Sequence, residues 1–269
     1  MMSLLEALPL LAQAPAVLVT VVQTRGSVPR ASGTCMLVFD DVVAGTIGGG
    51  HLEWQAMAHA RRCLRELDAP LQVRHALGPS LGQCCGGVVE LGFERVGAAD
   101  APALAVRLAP QRRPLALFGG GHVGRALVQT LAPLPFAVRW IDSRDEIFPS
   151  DVPTAVVCEH SSPVQAAVAD LAPGSRVLIM SFSHAEDLDI VMACLQRLRA
   201  RNDLPFVGLI GSQTKWATFR HRLQERGFSA VEVERITCPI GLPGIVGKEP
   251  EVIAVAVAAQ LLLLEGVGG

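Results

Sequence analysis

The chain has 269 residues, half of them hydrophobic, enough to bury one large core or two modest ones. Its formal net charge is -2, with acidic and basic residues interspersed, which leaves no footprint for nucleic acid or an anionic membrane surface. Seven cysteines, an odd number with none in a Cys-x-x-Cys spacing, read as thiols of a reducing compartment and so place the chain in the cytoplasm.

The N-terminal run MMSLLEALPLLAQAPAV imitates a secretion signal, with Ala12-Gln13-Ala14 as a small-residue site. It has no Lys or Arg before Arg25, and Glu6 interrupts it, so an amphipathic first helix is expected instead. Strand-like runs follow at residues 16–22, 34–39, 42–47, 71–77 and 88–96, with one helical pattern at 51–67 between the third and fourth. These make a smaller α+β domain over residues 1–101. Residues 102–113 are bracketed by prolines and read as a linker.

Over residues 114–269 short apolar strands alternate with helices. Strands are expected at 115–118, 137–141, 155–158, 177–181 and 206–210, and helices at 122–131, 163–171, 185–200 and 215–226. That alternation predicts a Rossmann-like α/β domain with a doubly wound parallel sheet. A last helix over 249–265 is apolar on most sides and is expected to pack between domains or subunits. Its most apolar part, 252–264, is too short to cross a bilayer.

Gly119, Gly121 and Gly124 have the G-x-G-x-x-G spacing, directly after a strand and opening a helix. The first permits a tight turn, the second lets a diphosphate approach the backbone, and the third lets helix and strand pack closely. Asp142 ends the next strand, where a carboxylate meets a ribose hydroxyl in dinucleotide enzymes. NAD(P) is therefore one candidate ligand, and a Rossmann shell whose turn holds another phosphate or nothing is the alternative. The chain contains no tyrosine, which removes the tyrosine/lysine proton relay of short-chain reductases.

Gly48, Gly49 and Gly50 lie at another strand-to-helix junction, where free amides would hold an anion; a plain tight turn explains them equally. His51 and Glu53 form the H-x-E of zinc deaminases without its P-C-x-x-C partner, so that chemistry is set aside. Arg25 and Arg30 share a Gly/Pro/Ser loop and would clamp a phosphate or carboxylate, or simply be solvated. Cys84 and Cys85 are adjacent in a glycine-rich loop, which suits accessible thiols, soft metals or persulfide sulfur, or else a bend that tolerates small residues. Cys35, Cys63, Cys158, Cys194 and Cys238 fall in apolar patterns and are expected in the core. Ser212 and Lys215 match S-x-x-K without its hydrolase companions, and Ser212 is read as a helix cap.

Several segments in order, QTRGSVPRASGTCMLV, GTIGGGHLEWQAM, GPSLGQCCGG, LFGGGHVGRAL, DSRDEIFP, FVGLIGSQTKWATFR and ITCPIGLPGIVGKEPEVIAVAVAAQLL, resemble the XdhC/CoxI family. These are accessory proteins of the xanthine dehydrogenase group of molybdenum hydroxylases. The resemblance implies a chaperone, rather than an enzyme, that binds the molybdenum cofactor, supports its sulfuration and inserts it into apo xanthine dehydrogenase. The implied partners are the molybdenum-binding subunit of that enzyme, a cysteine desulfurase and a second copy of the chain. On this reading Cys84 and Cys85 contact molybdenum or relay persulfide sulfur beside Gln83, with Cys35 as the competing thiol, and the phosphate-friendly residues above receive the cofactor's phosphate. A nicotinamide-dependent oxidoreductase and a freestanding sulfurtransferase stand as alternatives.

Overall fold

The computed structural model describes residues 2–77 and 86–266. The chain divides into two compact units, Met1–Pro110 and Gln111–Gly269.

In the first unit Ser3 closes a capping box with Glu6 and starts α1 (Leu4–Ala7). Pro9 has no N–H to donate back, so the expected amphipathic helix continues only as a 3-10 turn over Leu8–Ala12. β1 (Ala16–Arg25), β2 (Cys35–Val38) and β3 (Val43–Gly45) precede α2 (Gly50–Arg65), and β4 (Gln72–Ala76) and β5 (Val88–Val96) follow it. All pairs are antiparallel, in the order β3-β2-β1-β5-β4. Val17, Val19, Val21, Met36 and Leu91 alternate onto one face and pack against Leu52, Ala56, Ala60 and Cys63 of α2. Each of the valine, leucine and methionine side chains, fully buried, contributes about 1.5–3 kcal/mol.

Leu18, Leu37 and Val96 pack on the other face against Leu8, Leu11 and Leu104. Leu104 lies on α3 (Ala101–Arg107), inside the segment read as a linker. Pro102 suits the first turn of a helix, and Leu104, 2% exposed, ties that helix into the first core.

The second unit contains β6 (Arg113–Phe118), α4 (His122–Leu131), β7 (Phe136–Asp142), β8 (Val156–His160), β9 (Arg176–Ile179) and α5 (His184–Arg201). After them come β10 (Phe206–Leu209), α6 (Gln213–Glu225), α7 (Ala230–Val233), β11 (Ile236–Thr237) and α8 (Pro250–Gly266). The parallel sheet runs β11-β10-β9-β6-β7-β8, the doubly wound order, with its reversal point between β6 and β9. Leu127, Val128 and Leu131 of α4 and Ala254, Val257 and Leu261 of α8 share one core. Ile190, Val191, Leu195, Phe219 and Leu223 of α5 and α6 build the core of the opposite face. The last helix, expected between domains or subunits, is thus anchored on the Rossmann sheet itself.

Residues 163–171, expected as a helix, form a 3-10 run over Val164–Asp170. The Arg197 guanidinium takes the carbonyls of Val168, Ala169 and Leu171 at the end of this run, where a helix leaves its last carbonyls without amide partners. Cys158, expected in the core, is exposed because β8 is an edge strand. Cys63 and Cys194 are buried, and Cys35 and Cys238 half-buried.

Candidate functional site

The glycine turn after β3 is left-handed throughout, with φ of 125°, 76° and 67° at Gly48, Gly49 and Gly50, which explains three glycines in a row. Three amides here are engaged, Gly48 N–H by the Thr46 hydroxyl at 3.1 Å and the Ile47 and Gly49 N–H groups by a carboxylate. One oxygen of Glu53, in the first turn of α2, accepts from Ile47 N–H at 3.0 Å, Gly49 N–H at 3.1 Å and the Thr46 hydroxyl. The protein's own carboxylate occupies the position expected for an anion. Pro29 packs against Gly48, and the Arg30 side chain lies beside it. Arg25 instead lines a groove with Arg74, so the two arginines of the loop serve different neighbourhoods.

Cys35 begins β2, where its thiol donates to Gly33 O at 3.2 Å and lies 3.4 Å from the Thr20 hydroxyl. Gln83, Cys84 and Cys85 fall outside the described residues. Just after them, Gly87 crosses the end of β1 so closely that a Cβ would stand 2.5 Å from Arg25 O and Ser27 O. The base of that loop is thereby pinned to the Arg25 turn.

In the Rossmann turn, Gly119 and Gly124 are required by packing. A Cβ on Gly119, whose φ is 123°, would lie 2.0 Å from Met180 O, and one on Gly124 would lie 2.0 Å from Gly119 O. Gly121, the N-cap of α4, is exposed and has open space around its Cβ position. Asp142 is 2% exposed and accepts Gly120 N–H at 2.6 Å, Arg144 N–H at 2.9 Å and both ends of the Arg144 guanidinium at 2.9 Å. Burial raises the Asp142 carboxyl, but the Arg144 and Gly120 hydrogen bonds outweigh it and hold it below the ordinary carboxylate value. Arg144 in turn lies 4.8 Å over the exposed Phe182 ring at the reversal point of the sheet. A ribose hydroxyl would have to displace Arg144 to reach Asp142.

Sequence reasoning missed the Asp187–Lys215 pair. Lys215 Nζ donates to Asp187 Oδ2 at 2.6 Å and to Ile210 O at 2.9 Å, while the other oxygen of Asp187 holds the Ser181 N–H and hydroxyl at 2.8 Å. The S-x-x-K spacing was its signal: Ser212 caps α6 by accepting Lys215 N–H, and Lys215 bolts α6 to the start of α5. Burial pushes the nearby Cys238 thiol up to about 11 and the Cys194 thiol up to about 12, which makes both poor nucleophiles. Among the described residues no cluster of three or more His, Cys, Asp or Glu has metal-binding geometry, and no helix is long and apolar enough to cross a membrane.

An antiparallel sheet carrying one helix, joined in sequence to a six-stranded Rossmann-like sheet whose glycine turn is closed by its own aspartate, defines a two-unit α/β protein. Its sequence matches the XdhC Rossmann domain over residues 115–261 and the XdhC and CoxI family over residues 10–74. The chain belongs to the XdhC/CoxI family. The uncharacterized protein YqeB of Escherichia coli K12 is 27% identical over 254 residues, covering 92% of this chain but 43% of YqeB. The chain therefore spans less than half the length of that relative. A crystal structure described as a xanthine dehydrogenase from Bacillus halodurans, 20% identical, superposes with a TM-score of 0.80 over 100% of this chain and 97% of the other, a likeness of fold. A Rossmann-fold NAD(P)-binding family protein from Shigella flexneri, at 12% identity and a TM-score of 0.37 over 58% of this chain and 88% of its own, is too distant to inform function.

Proposed function

We propose that this protein binds the molybdenum cofactor in the cytoplasm, supports its sulfuration and delivers it to apo xanthine dehydrogenase. The observation that carries the reading is family membership on matches in both units. Cys84 and Cys85, beside Gln83, supply soft thiolates for molybdenum, and Cys35 is the competing thiol. The cofactor's phosphate goes to arginine, since Glu53 already holds the Ile47 and Gly49 amides and Asp142 the Gly120 amide. A cysteine desulfurase supplies the sulfur, and the molybdenum-binding subunit of xanthine dehydrogenase receives the product. A nicotinamide enzyme finds support only in the Gly119, Gly121 and Gly124 spacing, and the engaged Asp142 counts against it.

Purification with limited air exposure, followed by pterin fluorescence of the released ligand, tests the reading. Pterin is expected in the wild-type protein, with retention and reconstitution of the target reduced in Cys84→Ala or Cys85→Ala. Absence of pterin overturns the function. Full retention in these two variants and in Cys35→Ala overturns the thiol assignment. Tight NAD(H) binding with turnover of a carbonyl substrate would favour the oxidoreductase instead.

A further inference from the structure

Along β1, Val17, Val19 and Val21 face α2, so strict alternation would send Gln23 and Arg25 to the same buried face. A register shift between Val21 and Gln23 reverses the alternation. Gln23 pairs with Glu90 and Arg25 with Val88, while the intervening Val89 and the following Leu91 are the residues buried against α2. Gln23 and Arg25 therefore stand with Glu90 on the opposite face. On the neighbouring strand Arg74 also pairs with Glu90, which brings it to that face. The extra residue, Val22, is 46% exposed and lies over Gly92, where a Cβ would come 2.9 Å from its methyl group.

Gln23, Thr24, Arg25, Arg74, Val88 and Glu90 line a groove of about 110 Å³. Neither guanidinium has an ion-pair partner among the described residues, and the sequence of residues 78–85 contains no carboxylate. We propose that this groove is an oxyanion site for the dianionic end of a phosphomonoester, with Arg25 and Arg74 as its charged donors and the Gln23 amide as a neutral one. Only the identity of the phosphomonoester, the molybdenum cofactor's terminal phosphate, rests on the proposed function.

The size suits one phosphate group, since pockets that enclose a whole small molecule run to about 300–1,000 Å³. The body of the ligand lies outside. β1 and β4 flank β5 at two strand spacings, about 10 Å, a gap that two extended guanidinium arms close around one phosphate. Glu90 stands in the row between them. It leaves a net charge of +1 on the three ionised groups, which favours a dianion over a monoanion. At the glycine turns a carboxylate of the protein is already in place, Glu53 on the Ile47 and Gly49 amides and Asp142 on the Gly120 amide.

Calorimetric titration of the full chain with methyl phosphate and dimethyl phosphate tests the site. Methyl phosphate is expected to bind one per chain, with the monoanionic diester at least about tenfold weaker. Arg25→Gln and Arg74→Gln should each weaken methyl phosphate by roughly 10- to 100-fold, because each removes charge-assisted hydrogen bonds. Glu90→Gln should tighten it, and Arg62→Gln on the outside of α2 should leave it unchanged. Absence of saturable binding, or equal binding by wild type and both groove variants, overturns the proposal. Saturable phosphate binding without pterin in the purified protein would uphold the groove and sink the cofactor reading. Pterin retained by a chain that binds no phosphate would overturn the groove alone.

Discussion

Asp142 occupies the position at which a Rossmann strand presents a carboxylate to ribose, yet its four hydrogen bonds all go to the protein. Its position was readable from the strand after the glycine turn. Its engagement was not, since a carboxylate that awaits a ligand and one that holds Arg144 share the same sequence pattern. Asp142→Asn is expected to lower stability at pH 7 by about 1–2 kcal/mol, the modest value reflecting that Arg144 keeps a third of its side chain exposed. Because the folded carboxyl is held below its ordinary value, its contribution is complete above about pH 4 and is lost as pH falls through the folded value. Melting temperatures of wild type and Asp142→Asn should therefore converge on acidification. Parallel curves down to pH 3 would disprove the assignment.

At the scale of elements, the strand and helix patterns survived wherever a long run of alternating or helical residues had a core to face. Short or self-bonded pieces did not announce themselves. α7 and β11 hold four and two residues, too few for a period to show, and the closing carbonyls of the 3-10 run at Val164–Asp170 are met by an arginine more than twenty residues away. The junction into α2 shows a local reason that sequence reading overlooked: Glu53, noted only as part of an H-x-E spacing, closes the glycine turn ahead of its own helix. Glu53→Ala is expected to cost about 1–3 kcal/mol in chemical denaturation, since it strands the Ile47 and Gly49 amides and the Thr46 hydroxyl. A loss below a few tenths of a kcal/mol would show that water replaces the carboxylate without penalty.

For the whole molecule, α8 combines two roles that its uniform hydrophobicity left unresolved. Ala254, Val257 and Leu261 anchor it beside α4, while Val255, Leu262 and Leu263 remain 55%, 40% and 57% exposed. No charged residue lies between Glu251 and Glu265. We propose that this exposed stripe is the surface on which a second copy of the chain docks. Light scattering on the eluted protein should give twice the chain mass for wild type and the single chain mass for Leu262→Glu. A monomeric wild type, or a variant that stays dimeric, would refute it.

The sequence alone determined the two kinds of sheet, the glycine-dependent turns and the family, because hydrophobic period, glycine spacing and the wording of the family-like blocks are written in consecutive residues. Tertiary structure alone decided which charges meet. A one-residue bulge turned Arg25 away from the α2 face and toward Arg74, and Asp142 folded back onto Gly120, 22 positions earlier. Such pairings depend on strand register and on the competition of a carboxylate's few acceptor positions for nearby donors, and neither quantity is set by the residues on either side.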